Sequence, residues 1–281
     1  MSIAAGVGHY VPWDGGCLLI GDDVQLVPPH AHYAIQITFG SERGVRFRTG
    51  EGEEWGEYDV AIIPSRQPHS MDARRVRSNA VIFVEPETRE GRTLAELYLR
   101  DGIASVTERA VVDAGAALFA AWRERRERCT VTEAAWRVIQ ALTRGVEPSV
   151  VSDERILRAV AYINAHLDAP LTLEEVAAEA CLSPSRFRHL FVEQTGMGLR
   201  PYVLWRRFLR AWDLVMAGES LSTAAHGAGF ADAAHLTRTS RRMFGFPPSA
   251  LQLSEPLPSG HVDRHHYPPP PGHAARTATP R

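Results

Sequence analysis

The sequence predicts an α+β chain, with a β-rich N-terminal part and an all-α C-terminal part holding two helix-turn-helix units joined by one long helix. Three observations point there. Short β-branched and aromatic runs, punctuated by glycine and proline, fill the first ~90 residues. Apolar residues at helical spacing take over near residue 91 and dominate from 153 to 253. One pattern occurs twice in that helical part, 48 residues apart.

Length and composition bound the rest. The chain has 281 residues, 44% hydrophobic and 23% charged, which excludes a fibrous or wholly disordered protein and suits more than one domain. No apolar run approaches the roughly 18 residues of a membrane span, and the N-terminus has no basic, then apolar, leader pattern. Cys17, Cys129 and Cys181 are scattered, with no C-x-x-C, which argues against a disulfide framework or zinc ribbon and fits a reducing, cytoplasmic setting. All 31 basic residues are arginine, and they are unevenly placed. Residues 1–150 hold 17 arginines against 21 carboxylates, a net of −4, whereas residues 184–253 hold nine against four, a net of +5. A basic segment in a near-neutral chain suits a polyanion partner.

Taken in order, runs at 24–27, 33–39, 45–48, 59–63 and 80–84 predict short strands of a sandwich or small barrel, with glycine-rich turns at 40–44 and 50–52. Residues 1–92 are expected to form this first domain. Helices are predicted over 93–99, 111–126 and 131–143, with Val112, Ala116, Leu118, Phe119 and Trp122 as the buried stripe of the second. Residues 93–148 then make a helical connector and dimerisation region, and 145–149 a linker. Residues 153–253 form the helical domain, with a core of its own. Residues 254–281, rich in proline and histidine (His261, His265, His266, His273), predict a disordered tail whose metal binding would be adventitious.

The repeat has the physical grammar of a helix-turn-helix. A short helix places a small residue, Ala177 or Ala225, where a second helix crosses closely. A tight turn follows, centred on Cys181 or Gly229, and the second turn is one residue longer. Ser183 with Pro184, and then Asp232, are suited to cap the next helix. Phe187, Leu190 and Phe191 make an apolar stripe that leaves Ser185, Arg186, Arg188, His189 and Val192 free. In the second copy Ala234, His235, Arg238, Arg241 and Arg242 are left free. A rigid helix over 199–217, roughly 28 Å long at 1.5 Å per residue, would set the two reading helices into successive major grooves, about 34 Å apart.

Residues 153–253 resemble the DNA-binding domain of AraC/XylS-type transcription regulators. The resemblance rests on Leu182-Ser183-Pro184-Ser185-Arg186-Phe187-Arg188-His189-Leu190-Phe191, Gly196, Tyr202, Arg207, Ala211, Gly229-Phe230-Ala231-Asp232, Leu236-Thr237-Arg238-Thr239, Phe244-Gly245 and Pro248-Ser249. Ser240 departs from it, standing where the family usually has a buried Phe. The resemblance implies duplex DNA as partner, read by Ser185, Arg186, Arg188, His189, Arg207, Ala234, His235, Arg238 and Arg241. Arg188 and Arg238 are best suited to pair with guanine.

In the N-terminal part, His30, His32 and Gln36 fall on alternate positions of an extended run and share a face, and His69 follows a later strand in Pro64-Ser65-Arg66-Gln67-Pro68-His69. This resembles a degenerate cupin, with Gln36 where metal-binding cupins have Glu and Arg66 where Gly is usual. The resemblance implies a cupin-like barrel sensing a small-molecule effector through His30, His32, Gln36 and His69, with the three histidines as metal candidates. No cofactor is otherwise expected.

The expectation is a cytoplasmic, sequence-specific, ligand-responsive activator, homodimeric, working with RNA polymerase, and neither an enzyme nor a membrane protein. The alternative is a cupin-type metalloenzyme or an interaction protein that has kept a DNA-binding fold. The sequence shows no acid–base pair beside the histidines to favour the enzyme.

Overall fold

The computed structural model describes residues 6–148, 153–250 and 252–253. The proline- and histidine-rich tail expected over 254–281 lies outside the described residues.

Among the described residues, ten strands and three helices precede residue 148. The strands are β1 Val7–Trp13, β2 Gly16–Asp22, β3 Leu26–His30, β4 Ile35–Gly40, β5 Val45–Arg48, β6 Gly56–Tyr58, β7 Val60–Ile63, β8 His69–Asp72, β9 Ser78–Val84 and β10 Ala104–Val106. The helices are α1 Arg89–Tyr98, α2 Arg109–Arg123 and α3 Arg128–Thr143. Among the described residues six α-helices follow: α4 Glu154–Ala165, α5 Leu173–Glu179, α6 Pro184–Thr195, α7 Leu199–Met216, α8 Leu221–Gly227 and α9 Ala233–Phe244, before a 3-10 turn at Pro248–Ala250 and a last short strand, β11 Gln252–Leu253.

The strands form a seven-stranded sheet, β10-β7-β4-β9-β2-β1-β11, and a four-stranded sheet, β3-β8-β5-β6. All pairings are antiparallel except β1 with β11. The two faces of the larger sheet are both covered, so β9 is buried at all seven positions. Its alternate side chains separate cleanly. Ala80, Ile82 and Val84 join Leu118, Phe119, Val138 and Ile139 of α2 and α3, while Val81 and Phe83 join Val27, Val45, Phe47 and Met71 of the smaller sheet. Burial on α2 keeps Leu118, Phe119 and Trp122 of the expected stripe, while Val111 and Gly115 are buried in place of Val112 and Ala116, which are exposed.

Three expectations need correction. Strands β1, β2, β6, β8, β10 and β11 were not expected. The segment 93–148 is not a purely helical connector, because β10 pairs with β7 inside the larger sheet and α1 begins earlier, at Arg89. Nor do the two parts have separate cores. The cluster of Val27, Phe47, Met71 and Phe83 continues without a break into Phe187, Trp205, Phe208, Trp212 and Phe244. Phe83 of β9 stacks on Phe244 of α9, centroids 5.2 Å apart and planes 8° from parallel.

A polar lock crosses the same junction. Tyr33 donates its hydroxyl hydrogen towards the Thr195 carbonyl (2.6 Å) and Glu87 (3.0 Å), and Tyr202 donates to the other Glu87 oxygen (2.5 Å). Arg206 of α7 pairs with buried Glu85. Burial pushes the Glu85 carboxyl up to about 7 against the pull of Arg206, and the guanidinium stays charged because the facing carboxylates outweigh the cost of burying it. β11 completes the junction by pairing Gln252 with Val7 in the larger sheet.

Candidate functional site

The helical part presents two helix-turn-helix units. Thr172 and Glu175 cap α5 reciprocally, each accepting a backbone N–H from the other's position. Ala177 is fully buried against the crossing helix. The turn passes through Cys181 at φ 55°, then Ser183 accepts the Arg186 N–H and Pro184 opens α6. In the second unit Ser220 caps α8, Ala225 is buried, Gly229 turns at φ 76°, and Asp232 accepts the His235 N–H at 2.6 Å to open α9. The second turn is one residue longer, as the repeat implied. Gly229 is required on two counts: its φ is left-handed, and a Cβ there would sit 2.5 Å from the Leu167 carbonyl oxygen and 2.8 Å from Arg207 Nε.

These turns leave two helix faces open. On α6, Phe187, Leu190 and Phe191 are buried, while Ser185, Arg186, Arg188, His189 and Val192 are exposed. On α9, Leu236, Thr239, Ser240 and Phe244 are buried, Ala234, Arg238, Arg241 and Arg242 are exposed, and His235 is half-buried, edge-on to Phe230. Ser240 fills no aromatic space. Its hydroxyl instead donates to the Phe246 carbonyl at 2.6 Å, and Phe244 and Phe246 pack on Trp212. Between the units α7 is anchored by Tyr202, Trp205, Phe208 and Trp212, all essentially inaccessible.

Arg207 stands apart from the other expected reading residues. Its Nε and Nη2 donate to the Leu167 and Ala169 carbonyls, both at 2.8 Å, so it clamps the chain after α4 onto α7 instead of facing out.

The N-terminal histidines converge as expected, for a different reason. The chain is not one extended run from 30 to 36: β3 ends at His30, His32 lies in the following loop, and Gln36 is in β4. Pro28 and Pro29 have no N–H for the ladder, the β3–β8 register shifts there, and His30 comes to stand directly across from His69. His30, His32, Gln36 and His69 are all buried. One donor nitrogen from each ring lies within 4.8 Å of the other two. Each Nδ1 faces a backbone carbonyl: Pro28 at 2.9 Å, Ala34 at 2.8 Å and Gln67 at 2.9 Å. Burial, with the neighbouring rings, holds His30 well below the usual imidazole range and His32 at about 3, and burial holds His69 at about 4. The rings are therefore neutral near pH 7. The cluster also abuts α9. The Ala31 N–H donates to the Arg242 carbonyl at 3.2 Å, and a Cβ at Gly245 would meet His30 Nδ1 at 3.2 Å and Val27 at 2.6 Å.

Sequence reasoning missed Tyr33, Glu85, Glu87 and Arg206. The buried position of Tyr33, adjacent to His32, was the nearest available signal.

Comparison with known proteins agrees with this geometry. Residues 176–253 match the family model described as a helix-turn-helix domain. The regulatory protein PocR of Salmonella typhimurium is 32% identical over 111 residues, 39% of this chain and 36% of that protein. The arabinose operon regulatory protein of Escherichia coli is 30% identical over 118 residues, 41% of this chain and 40% of that protein. The chain thus matches well under half the length of these curated relatives. Over nearly the whole described chain the fold is similar to that of ToxT from Vibrio cholerae O395, with a TM-score of 0.55 at 11% identity, covering 84% of this chain and 96% of ToxT. Two capped helix-turn-helix units on one anchored linker helix are thus matched in sequence over 176–253 by the helix-turn-helix family model, and this part of the chain is similar to the corresponding part of PocR and of the arabinose operon regulatory protein.

Proposed function

We propose that the protein is a ligand-responsive transcription regulator that binds duplex DNA through α6 and α9 in successive major grooves. The observation that supports it most is the pair of exposed, arginine-bearing faces on helices whose opposite sides are anchored in one core. Arg188 and Arg238 read base edges, and Ser185, Arg186, His189, Ala234, His235 and Arg241 contact bases or phosphates around them. Arg207 contributes by holding α4 and the Gly229 turn in place. The N-terminal half senses a small molecule, with His30, His32, Gln36 and His69 as the sensing cluster. ToxT, of the same fold, has been crystallised with (E)-4-(8-methylnaphthalen-1-yl)but-3-enoic acid, which supports an organic effector for this architecture. Activation as a cytoplasmic homodimer in contact with RNA polymerase completes the reading. The relatives are regulators, and none of the described helices is long and apolar enough to cross a membrane.

Anisotropy titration of the full chain against duplexes selected from a random pool tests it. A specific complex is expected whose log affinity falls steeply with log salt, by about 0.9 for each phosphate neutralised. Equal affinity for scrambled DNA at every salt concentration would overturn the reading.

A further inference from the structure

We propose that His30, His32 and His69, with the carboxamide oxygen of Gln36, bind a divalent first-row transition metal ion, and that this ion sets the position of reading helix α9. The second half rests on the DNA-binding role given to α9; the first half does not.

Among the described residues this is the one cluster of three metal-ligating side chains, and all three are buried. With each Nδ1–H donated to its backbone carbonyl, the lone pair of each ring is left on Nε2, the arrangement in which histidine binds metals. The Nε2 of His69 is buried with no hydrogen-bond partner, an expense that a bound ion would remove. His32 poses a sharper problem. Its Nδ1 faces the Ala34 oxygen at 2.8 Å and its Nε2 faces Gln36 Oε1 at 2.7 Å, so a neutral ring has one nitrogen lone pair against an oxygen lone pair. The Gln36 NH2 group donates to Thr38 Oγ1 at 2.8 Å, which holds Oε1 towards the cluster. A cation shared by His32 Nε2 and Gln36 Oε1 turns that repulsion into two bonds. Three imidazole nitrogens and one neutral oxygen suit zinc, cobalt, nickel or iron and not calcium or magnesium.

The link to α9 is mechanical. Metal bonds of about 2.1 Å in a tetrahedral site put the donors ~3.4 Å apart. The widest pair here stands at up to 4.8 Å, so binding draws the rings inward by about 1 Å. His30 and His32 flank Ala31, whose N–H holds the Arg242 carbonyl in the last turn of α9. His30 also lies against Gly245, the C-cap of α9, and Phe83, edge-on to His32 at 4.9 Å, stacks on Phe244. A 12-residue helix moves as a rod roughly 18 Å long, so a shift at its C-cap reaches Arg238 and Ala234. The ion favours the state in which the cluster is closed, and DNA affinity follows to the extent that α9 differs between the two states.

The test uses the full chain with His261, His265, His266 and His273 replaced by Ala, so that the tail contributes no ligands. Metal is stripped with chelator and Co2+ is added back while visible absorption is recorded, followed by Zn2+ competition. One equivalent with the intense bands of a four-coordinate site is expected, abolished in His69→Ala. Because His69→Ala could fail to fold, Gln36→Glu supplies the opposite sign: an anionic oxygen should raise affinity at least tenfold. No stoichiometric binding, or affinity unchanged in both variants, would overturn the site. For the coupling, Kd for a selected duplex is measured with and without Zn2+. At least a tenfold difference is expected in the starting protein and none in His69→Ala. Arg238→Ala should shrink the difference, while Arg188→Ala lowers affinity and preserves it. The same Kd with and without metal overturns the coupling even if Co2+ binds. A protein that binds no duplex in either form refutes the DNA-binding reading and the coupling together, and leaves the Co2+ titration to decide the site.

Discussion

Arg188 is exposed on α6 directly beside buried Phe187, so the backbone that aims it is fixed while the guanidinium remains free. A guanidinium held in this way can form a bidentate pair with guanine, worth roughly 1–3 kcal/mol of discrimination. Arg188→Ala should therefore weaken specific binding by about that amount and relax preference at one base pair, as read by competition among single-base operator variants. Arg200, exposed in the first turn of α7, should on replacement by Ala weaken all sequences alike. An unchanged preference profile in Arg188→Ala would remove it from the base readers. Asp72 tests the sensor half in a different way. It is buried and faces Arg74 from the following loop and Arg46 from β5, and these hydrogen bonds lower its carboxyl to about 2 from the usual 3.8. A carboxyl with a lowered folded-state pKa adds stability above about pH 4, and that stability is lost as pH falls towards 2. Asp72→Asn should cost no more than about 2 kcal/mol at pH 7, since half-exposed Arg74 is screened by water. The gap to the parent should narrow as denaturant midpoints are measured down from pH 4, and a constant gap would contradict the assignment.

At the scale of elements, the two turns of the repeat differ in one instructive way. Position 181 is a cysteine in the left-handed region, while the corresponding 229 is a glycine pressed against Leu167 and Arg207. A left-handed L-residue costs roughly 1–2 kcal/mol. Gly229→Ala adds two close contacts to that cost and should lose about 2 kcal/mol or more in thermal or denaturant unfolding. Cys181→Gly removes strain and should be neutral or stabilising by up to about 1 kcal/mol. If the two changes had the same sign, the turn geometry would be wrong. The repeat was legible in sequence because capping, small-residue and stripe positions are local and recur at fixed spacing. β1 was not, because Pro12 and flanking glycines interrupt its pattern; the strand tolerates Pro12 because β11 pairs only at Val7 and Gly8 and leaves that edge free. β8, His-Ser-Met-Asp, is buried throughout yet mostly polar, so no hydrophobic alternation announces it. The histidine cluster was legible from residue type, but the Pro28–Pro29 register shift that builds it depends on the partner strand, which local spacing does not reveal.

For the whole molecule the decisive feature is that the sensor half and the reading half share one core. The residues of the lock, Tyr33, Glu85, Glu87, Tyr202 and Arg206, are separated by up to 173 positions, which is why local sequence reading suggested two independent cores. The consequence can be measured. Trp205 and Trp212 sit on α7 at the junction, Trp13 of β1 packs on Trp136 of α3, and the helices that dominate far-ultraviolet dichroism belong to both halves. If the halves were independent, denaturant would unfold them in two steps, each seen by its own probes. A shared core with a buried ion pair makes loss of one half expose the apolar face of the other, so the transitions should coincide in tryptophan fluorescence and in dichroism, at one midpoint. Tyr202→Phe deletes the hydrogen bond to Glu87 and leaves a buried carboxylate short of a partner, which costs roughly 1–3 kcal/mol. It should lower that single midpoint in both signals together. A variant that shifted only one probe, or a parent protein with two resolved midpoints, would show that the junction is a contact between separately folding halves, and communication from the histidine cluster to α9 would then need another route.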